Sequence, residues 1–357
     1  MANDQSQDAR LVRIDDLRRC LAVAFERLQL TPEDAEGLAG LLVDSELRGH
    51  SDHGVAALGV LATFYRDGKL NPRPRVRVLQ QSDAAILFDG DRGCGPGLPT
   101  RAMRWCIDRA RDRGGMAAAA VRDWQLLVAA PYARLAAEAG LIGFACTNFV
   151  PLVAPPGGRT AVFGTNPFAY GLPAQRHHPV VLDVATTVSS MQRIRVAAQQ
   201  GTPMPEGIIF DDAGRPITDP GAFLKGGLLA PLGFPHAPHK GFGLALFIDA
   251  LSGVLSGADF AKGVADGAPG NFLWALDVEA FLPRQEFLER MDAQLDQIKE
   301  GERLPGIEEL LVPGERGHRR YLDLTAHGVV PLALASWQLL ATGCESLAVP
   351  LPAVLER

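Results

Sequence analysis

Apolar and polar residues recur along this chain on two periods. From Thr31 to Gly49 the apolar positions Leu38, Leu41, Leu42 and Leu47 follow helical spacing. Thr31-Pro32-Glu33-Asp34 opens that helix: a hydroxyl caps it, proline takes the first helical position, and acids face the positive end. Gly49 ends it. Val55 to Asp67 reads as a second helix, closed by Gly68, so the stretch LRGHSDHGV (47–55) forms a helix–helix corner with Ser51 or Asp52 as the new cap. Short apolar runs at 76–79, 84–88, 117–122, 142–147, 169–172, 180–183 and 271–278 predict strands. Further helices are predicted at 100–113, 131–139, 244–255, 284–299 and 331–342. Strands mixed with helices, and helices toward both ends, predict an α/β fold. Residues 1–75 and 285–357 are expected to form a helical lobe around a central α/β domain spanning 76–284.

Composition narrows the possibilities. The chain has 357 residues, 47% of them hydrophobic, enough for two lobes with a shared core. Its net charge of −6, with no block of like charges, argues against nucleic acid or an anionic membrane as partner. The opening MANDQSQDAR has no apolar stretch, so no secretory signal is expected. No run approaches the ~18 apolar residues of a membrane span. The five cysteines (20, 94, 106, 146 and 344) are scattered and odd in number, which suits reduced thiols in a cytoplasmic protein. They make no metal-ligand spacing with histidine, and no metal is expected.

Four stretches could carry chemistry. Gly93-Cys94-Gly95-Pro96-Gly97 lies between a strand and a helix, but it is not GxGxxG, and Pro96 removes an N–H that a phosphate would want; it reads as a glycine turn. PHAPHKGFGLALF (235–247) sets His239 and Lys240 before two glycines and an apolar helix. That is an anion site, or a glycine-rich helix start with a solvated lysine. LDVATTVSS (182–190) ends a strand with Asp183 and then offers four hydroxyls; read alone it is a capped helix start, and at a strand end it can hold a ligand. In the opening corner, His50 and His53 lack a third metal ligand. One of them at a helix N-terminus could donate a proton, with the helix dipole lowering its pKa toward working pH.

The motifs RGHSDHGV, VAPPGG, FGTNP, LDVATT, GTPMPEG, DDAGRPITDP, KGFGLAL and VPGER follow one another in an order that resembles the malate/L-lactate dehydrogenase family. That family includes ureidoglycolate, sulfolactate and diketogulonate dehydrogenases and piperideine-carboxylate reductases. The resemblance spans roughly residues 10 to 350. It implies a non-Rossmann fold with a mixed-sheet core, a homodimer, and hydride transfer between NAD or NADP and a small molecule. It places the proton donor on His53, with Asp183 beside the substrate. It places dinucleotide contacts on Asp183, Ala185, Thr186, Thr187 and Ser189, on His239 and Lys240, and on Pro313, Gly314 and Glu315.

Three positions depart from the family pattern. Asp52 stands where the residue before the catalytic histidine is usually serine. Val55-Ala56-Ala57 replaces the stretch where the family carries a carboxylate-binding arginine. Leu126 stands where a second histidine is usual, next to Trp124. Arg48, Asp52, Trp124 and Leu126 are therefore the expected substrate contacts, with Arg48 or Arg122 able to hold a carboxylate in another pose. A loss of cation and imidazole predicts an apolar pocket for a bulkier ketone or cyclic imine. The alternative is a non-redox lyase, isomerase or cyclase using His53 and Asp183 as acid and base.

Overall fold

The computed structural model describes residues 9–122, 126–265 and 267–355. The chain starts with strand β1 (Arg10–Arg13), then helices α1 (Ile14–Arg27), α2 (Pro32–Leu47) and α3 (Leu58–Arg66). A central stretch follows: β2 (Arg77–Gln81), β3 (Ala85–Asp89), α4 (Gly97–Arg113), β4 (Met116–Arg122), α5 (Ala130–Glu138), β5 (Ile142–Thr147), β6 (Phe168–Leu172) and β7 (Val180–Val184). Next come α6 (Met191–Gln200), β8 (Ile209–Phe210), β9 (Pro216–Ile217), α7 (Pro220–Phe223), β10 (Leu228–Leu229), α8 (Pro238–Asp249) and β11 (Asn271–Leu276). The tail carries α9 (Arg284–Lys299), α10 (Glu315–His327), β12 (Val329–Leu332), α11 (Leu334–Ser346) and β13 (Val354–Leu355).

Seven strands form the central sheet in the order β2-β3-β4-β11-β5-β6-β7. Only β3 and β4 run parallel; the other pairs are antiparallel. A Rossmann sheet is built from parallel strands, so this is the expected mixed core. Period-two alternation divides the sheet's faces. Leu273 and Ala275 of β11, with Ala117, Ala119 and Val121 of β4, bury against α4 and α5. Phe272 and Trp274 point to the other face, where Ile248 and Leu251 cover them and Trp274 stacks on Phe144 with centroids 5.5 Å apart.

The terminal lobe is built from both chain ends. Strand β1 is paired on one side with β12 and on the other with β13. Helices α1, α2 and α3 share one apolar core with Val330, Leu340 and Cys344. Thr31 caps α2 as expected, its hydroxyl accepting the Asp34 N–H at 3.2 Å. Helix α9, expected within this lobe, packs elsewhere: Met291 and Leu295 bury against Val180 and Tyr170 at the edge of the central sheet. Helices α1, α7 and α10 lie outside the elements expected, and α6 follows the capped helix start read at 182–190.

Candidate active site

The 47–55 corner is organised by a carboxylate inside α2. Glu46 is 1% exposed. Its Oε1 accepts the Ser51 hydroxyl at 2.7 Å and its Oε2 accepts the Val55 N–H at 3.3 Å. Burial pushes its pKa up, against those two hydrogen bonds. A Cβ added to Gly54 would lie 2.0 Å from Glu46 Oε2, so position 54 tolerates no side chain while Glu46 ties the loop down. Ser51–His53 then forms one 3₁₀ turn and Val55–Ala57 another.

That turn aims His53. Its Nδ1 lies 3.2 Å from Asp52 Oδ1. The other oxygen of Asp52 accepts the Ser190 hydroxyl at 2.8 Å. Ser190 in turn caps α6, accepting the Arg193 N–H at 3.1 Å. Asp52 thus joins the histidine turn to the start of α6. Burial works against its charge, but His53, Ser190 and His50 outweigh burial and hold the carboxyl far below the usual range. For His53 burial favours the neutral ring, yet the bond to Asp52 and the charges of Asp52 and Asp183 prevail and raise its pKa above 6.5. This corrects the expectation of a helix dipole lowering it. His53 heads no α-helix: α3 begins only at Leu58, and the neighbouring charges are carboxylates.

His53 opens onto a cavity of about 510 Å³. Asp183, at the end of β7, lines it as well. Asp183 Oδ2 accepts the N–H of Ala130 at 2.8 Å and of Ala129 at 3.2 Å, the first amides of α5. Burial pushes its carboxyl up, opposed by those amides and by His53 and His50. Asp52 rather than Asp183 therefore orients the imidazole, and Asp183 acts on it through charge alone. Leu126, 6% exposed, forms part of the wall with Leu61, Phe64 and Val128. Ala57 lines the cavity at the foot of the histidine turn. Trp124 lies outside the described residues.

Of the expected dinucleotide contacts, Ala185, Thr187 and Ser189 line the cavity. Thr186 is buried behind them and donates to Thr165 O at 2.9 Å. The Thr187 hydroxyl donates to Ser189 O at 2.8 Å, shaping the loop. The Ser189 hydroxyl is buried and has no hydrogen-bond partner among the described residues, on a residue that lines the cavity.

The rest stand off the wall. His239 and Lys240 are exposed in the first turn of α8. That turn is tied to the hydroxyl loop through Leu232, which donates to Thr186 O at 2.8 Å and accepts the Gly241 N–H at 3.0 Å. A Cβ at Gly241 would meet the Leu232 backbone at 2.4 Å. Pro313–Glu315 sit behind β7. Pro313 O accepts the Val181 N–H at 3.2 Å. Gly314 needs φ +86°, and a Cβ there would lie 2.7 Å from Val181 O. Glu315 is buried, with Lys299 Nζ at 2.6 and 2.7 Å from its two oxygens. These three residues buttress the strand that carries Asp183.

Arg48, an expected substrate contact, is held by Asp44 at 3.0 and 3.1 Å and lies over the Tyr321 ring, 4.3 Å from its centroid, off the cavity wall. Arg122 reaches Asp89 at 3.1 Å. Glu46 and Arg195 were not expected; Ser190, the last of the four hydroxyls at 182–190, is the cap of the helix start read there. Glu46 had a signal, a carboxylate directly before the apolar Leu47 of the helical stripe. Arg195 needed the body of α6, whose stripe Ile194 and Ala197 is short and weak.

An α/β enzyme with a carboxylate-steered histidine on an apolar cavity is what fold and site define. A profile of the malate/L-lactate dehydrogenase family matches residues 12–341. A malate dehydrogenase of Pyrococcus horikoshii is 34% identical over 320 residues, 87% of this chain and 89% of that one. The structure is similar to a malate dehydrogenase of Entamoeba histolytica (TM-score 0.89, 26% identity, 97% of this chain and all of that one). It is also similar to a Δ1-piperideine-2-carboxylate reductase of Pseudomonas syringae (TM-score 0.77, 27% identity, 93% and 99%). The chain belongs to the malate/L-lactate dehydrogenase family, and it is an oxidoreductase. Among the described residues no helix is long and apolar enough to cross a membrane.

Proposed function

We propose that this chain reduces a ketone or cyclic imine with a nicotinamide dinucleotide, NAD or NADP, and that His53 donates the proton. One observation carries the reading. Asp52 Oδ1 lies 3.2 Å from Nδ1 of His53, which favours a proton on that nitrogen, and Nε2 has no protein partner among the described residues on a ring that lines the cavity.

The residues fit the coenzyme where the hydroxyl loop meets the cavity. Ala185 and Thr187 line that side, and the orphaned Ser189 hydroxyl supplies a hydrogen bond there. His239 and Lys240, anchored to the same loop through Leu232, provide positive charge for its phosphates. When bound, the coenzyme supplies the hydride. His53 holds a proton on Nε2 and gives it to the oxygen or nitrogen that takes on charge. Asp52 keeps the ring from turning and stabilises its cationic form. Asp183, pinned by two amides, does not rotate toward the substrate; a carboxyl group so held is poorly placed to carry protons in a lyase or isomerase. The apolar wall of Leu61, Phe64, Leu126 and Val128 excludes water from the reacting atoms and suits a substrate bulkier than pyruvate or oxaloacetate.

A homodimer is part of the reading. Leu246, Phe247, Val254, Leu255 and Phe260 are each more than half exposed along α8 and the turn after it. An apolar patch of that kind is what a second copy covers.

Titration with NADH and with NADPH, followed by fluorescence, is the test. Saturable binding of either, with ketone- or imine-dependent oxidation, is expected. No binding of either would refute the reading.

A further inference from the structure

The cavity holds a cation that nothing balances. Arg195 sits on α6, half-buried, with its side chain in the cavity wall. Among the described residues it makes no ion pair and no side-chain hydrogen bond. The nearby acids are taken: Asp52 by His53 and Ser190, Asp183 by the amides of α5. Burial alone acts on its pKa and lowers it, with no carboxylate pulling the other way. A half-buried guanidinium is costly to leave unpaired, and its planar fork of donors matches a carboxylate or a phosphate.

We propose that Arg195 is the oxyanion receptor of this cavity, gripping a carboxylate or phosphate on the molecule bound beside His53. The proposal rests on the cavity being the substrate and coenzyme site. Arg195 supplies the positive charge that Ala57 and Leu126 do not. It does so from a different wall, because α6 is fastened to the histidine turn through Ser190 and Asp52.

The test uses Arg195→Met and Arg195→Lys in the full chain. Oxamate, inorganic pyrophosphate, NADH and NADPH serve as probes in equilibrium titrations. Arg195→Met is expected to weaken at least one probe tenfold or more, and Arg195→Lys to recover part of the loss. A loss confined to oxamate assigns the substrate carboxylate. A loss shared by pyrophosphate and both coenzymes assigns a coenzyme phosphate. Without ligand, Arg195→Met is expected to melt no lower than wild type, since it removes an unpaired charge and keeps the packing length. The proposal is overturned if wild type binds none of the probes, if all of its Kd values stay within twofold in Arg195→Met, or if that variant melts several degrees lower unliganded. Wild-type chain that binds oxamate or pyrophosphate through Arg195, yet binds neither coenzyme, would overturn the reductase reading and leave this assignment standing.

Discussion

Two walls of one cavity are built on opposite principles. The histidine turn is tied down from both sides, with the Nε2 edge of His53 left open to the cavity. Glu46 holds Ser51 and Val55, Asp52 holds His53 and Ser190, and Gly54 leaves no space for a side chain. The rest of the lining is loose in the same sense: an apolar surface of Leu126 and Val128, and a Ser189 hydroxyl and an Arg195 guanidinium with no partner among the described residues. Fixed geometry belongs where a proton must move over hydrogen-bond distance, and open valences belong where a ligand supplies the missing partner. The first wall therefore determines chemistry, and the second determines which molecule undergoes it.

The largest break in that division comes from His53→Ala. The chain should fold and bind coenzyme as before, while kcat for reduction falls by about 10²–10⁴-fold. Single-turnover kinetics at saturating coenzyme measure it, and an unchanged rate would remove His53 from the mechanism. Next is Gly54→Ala. The new methyl meets Glu46 Oε2, so either the carboxylate or the turn must shift. A loss of about 1–3 kcal/mol is expected from such overpacking, read as a lower midpoint in urea, together with a fall in kcat. Stability equal to wild type would mean that the turn is soft and that the first wall is not the rigid one.

Asp52→Asn affects charge more than shape. His53 owes its raised pKa first to Asp52, so the variant should titrate lower. In the reducing direction activity is present while the ring is protonated and is lost as pH rises through its pKa. Wild type should hold its rate past 6.5, and Asp52→Asn should lose it earlier. If the ring holds its proton about tenfold less tightly, kcat/KM falls about tenfold at any pH above both pKa values. The oxidising direction should show the mirror image. A profile that does not move would assign the titration to another group.

The strands were legible because 117–122, 142–147 and 271–278 are short apolar runs bounded by polar and glycine-rich turns, while the sorting of Leu273 from Trp274 onto opposite faces appears only in the sheet. Where the sequence fell short, the signal was tertiary. Helix α9 is amphipathic in either lobe, and only the apolar edge at Val180 and Tyr170 decides where it packs. His53 and Asp52 could be named from their motif, but the direction in which the imidazole's pKa moves depends on a bond between neighbours that spacing does not reveal. Glu315 and Gly314 lie in a motif that suggests a ligand, and within this chain they hold β7 in place through Val181 and Lys299. Arg195 carries no motif, since its role depends on what fails to lie beside it.

The smallest expected effect tests the second wall by refilling it. Ala57 and Leu126 both line the cavity; Ala57 ends the stretch Val55–Ala57 where the resemblance implies an arginine, and Leu126 stands where it implies a histidine. Ala57→Arg adds a long cation beneath His53, and Leu126→His adds an imidazole at the opposite side. If the apolar wall is what turns away small 2-oxo acids, the double variant should gain activity with pyruvate or oxaloacetate. A gain of about tenfold in kcat/KM is the scale of one new charge-assisted hydrogen bond to a carboxylate, about 1.4 kcal/mol. The cost should appear with the bulkier substrate, as a higher KM at little change in kcat, because the walls differ in binding and not in proton transfer. A double variant that lost kcat with every substrate would show that Leu126 supports His53 itself, and the separation of the two walls would fail at that point.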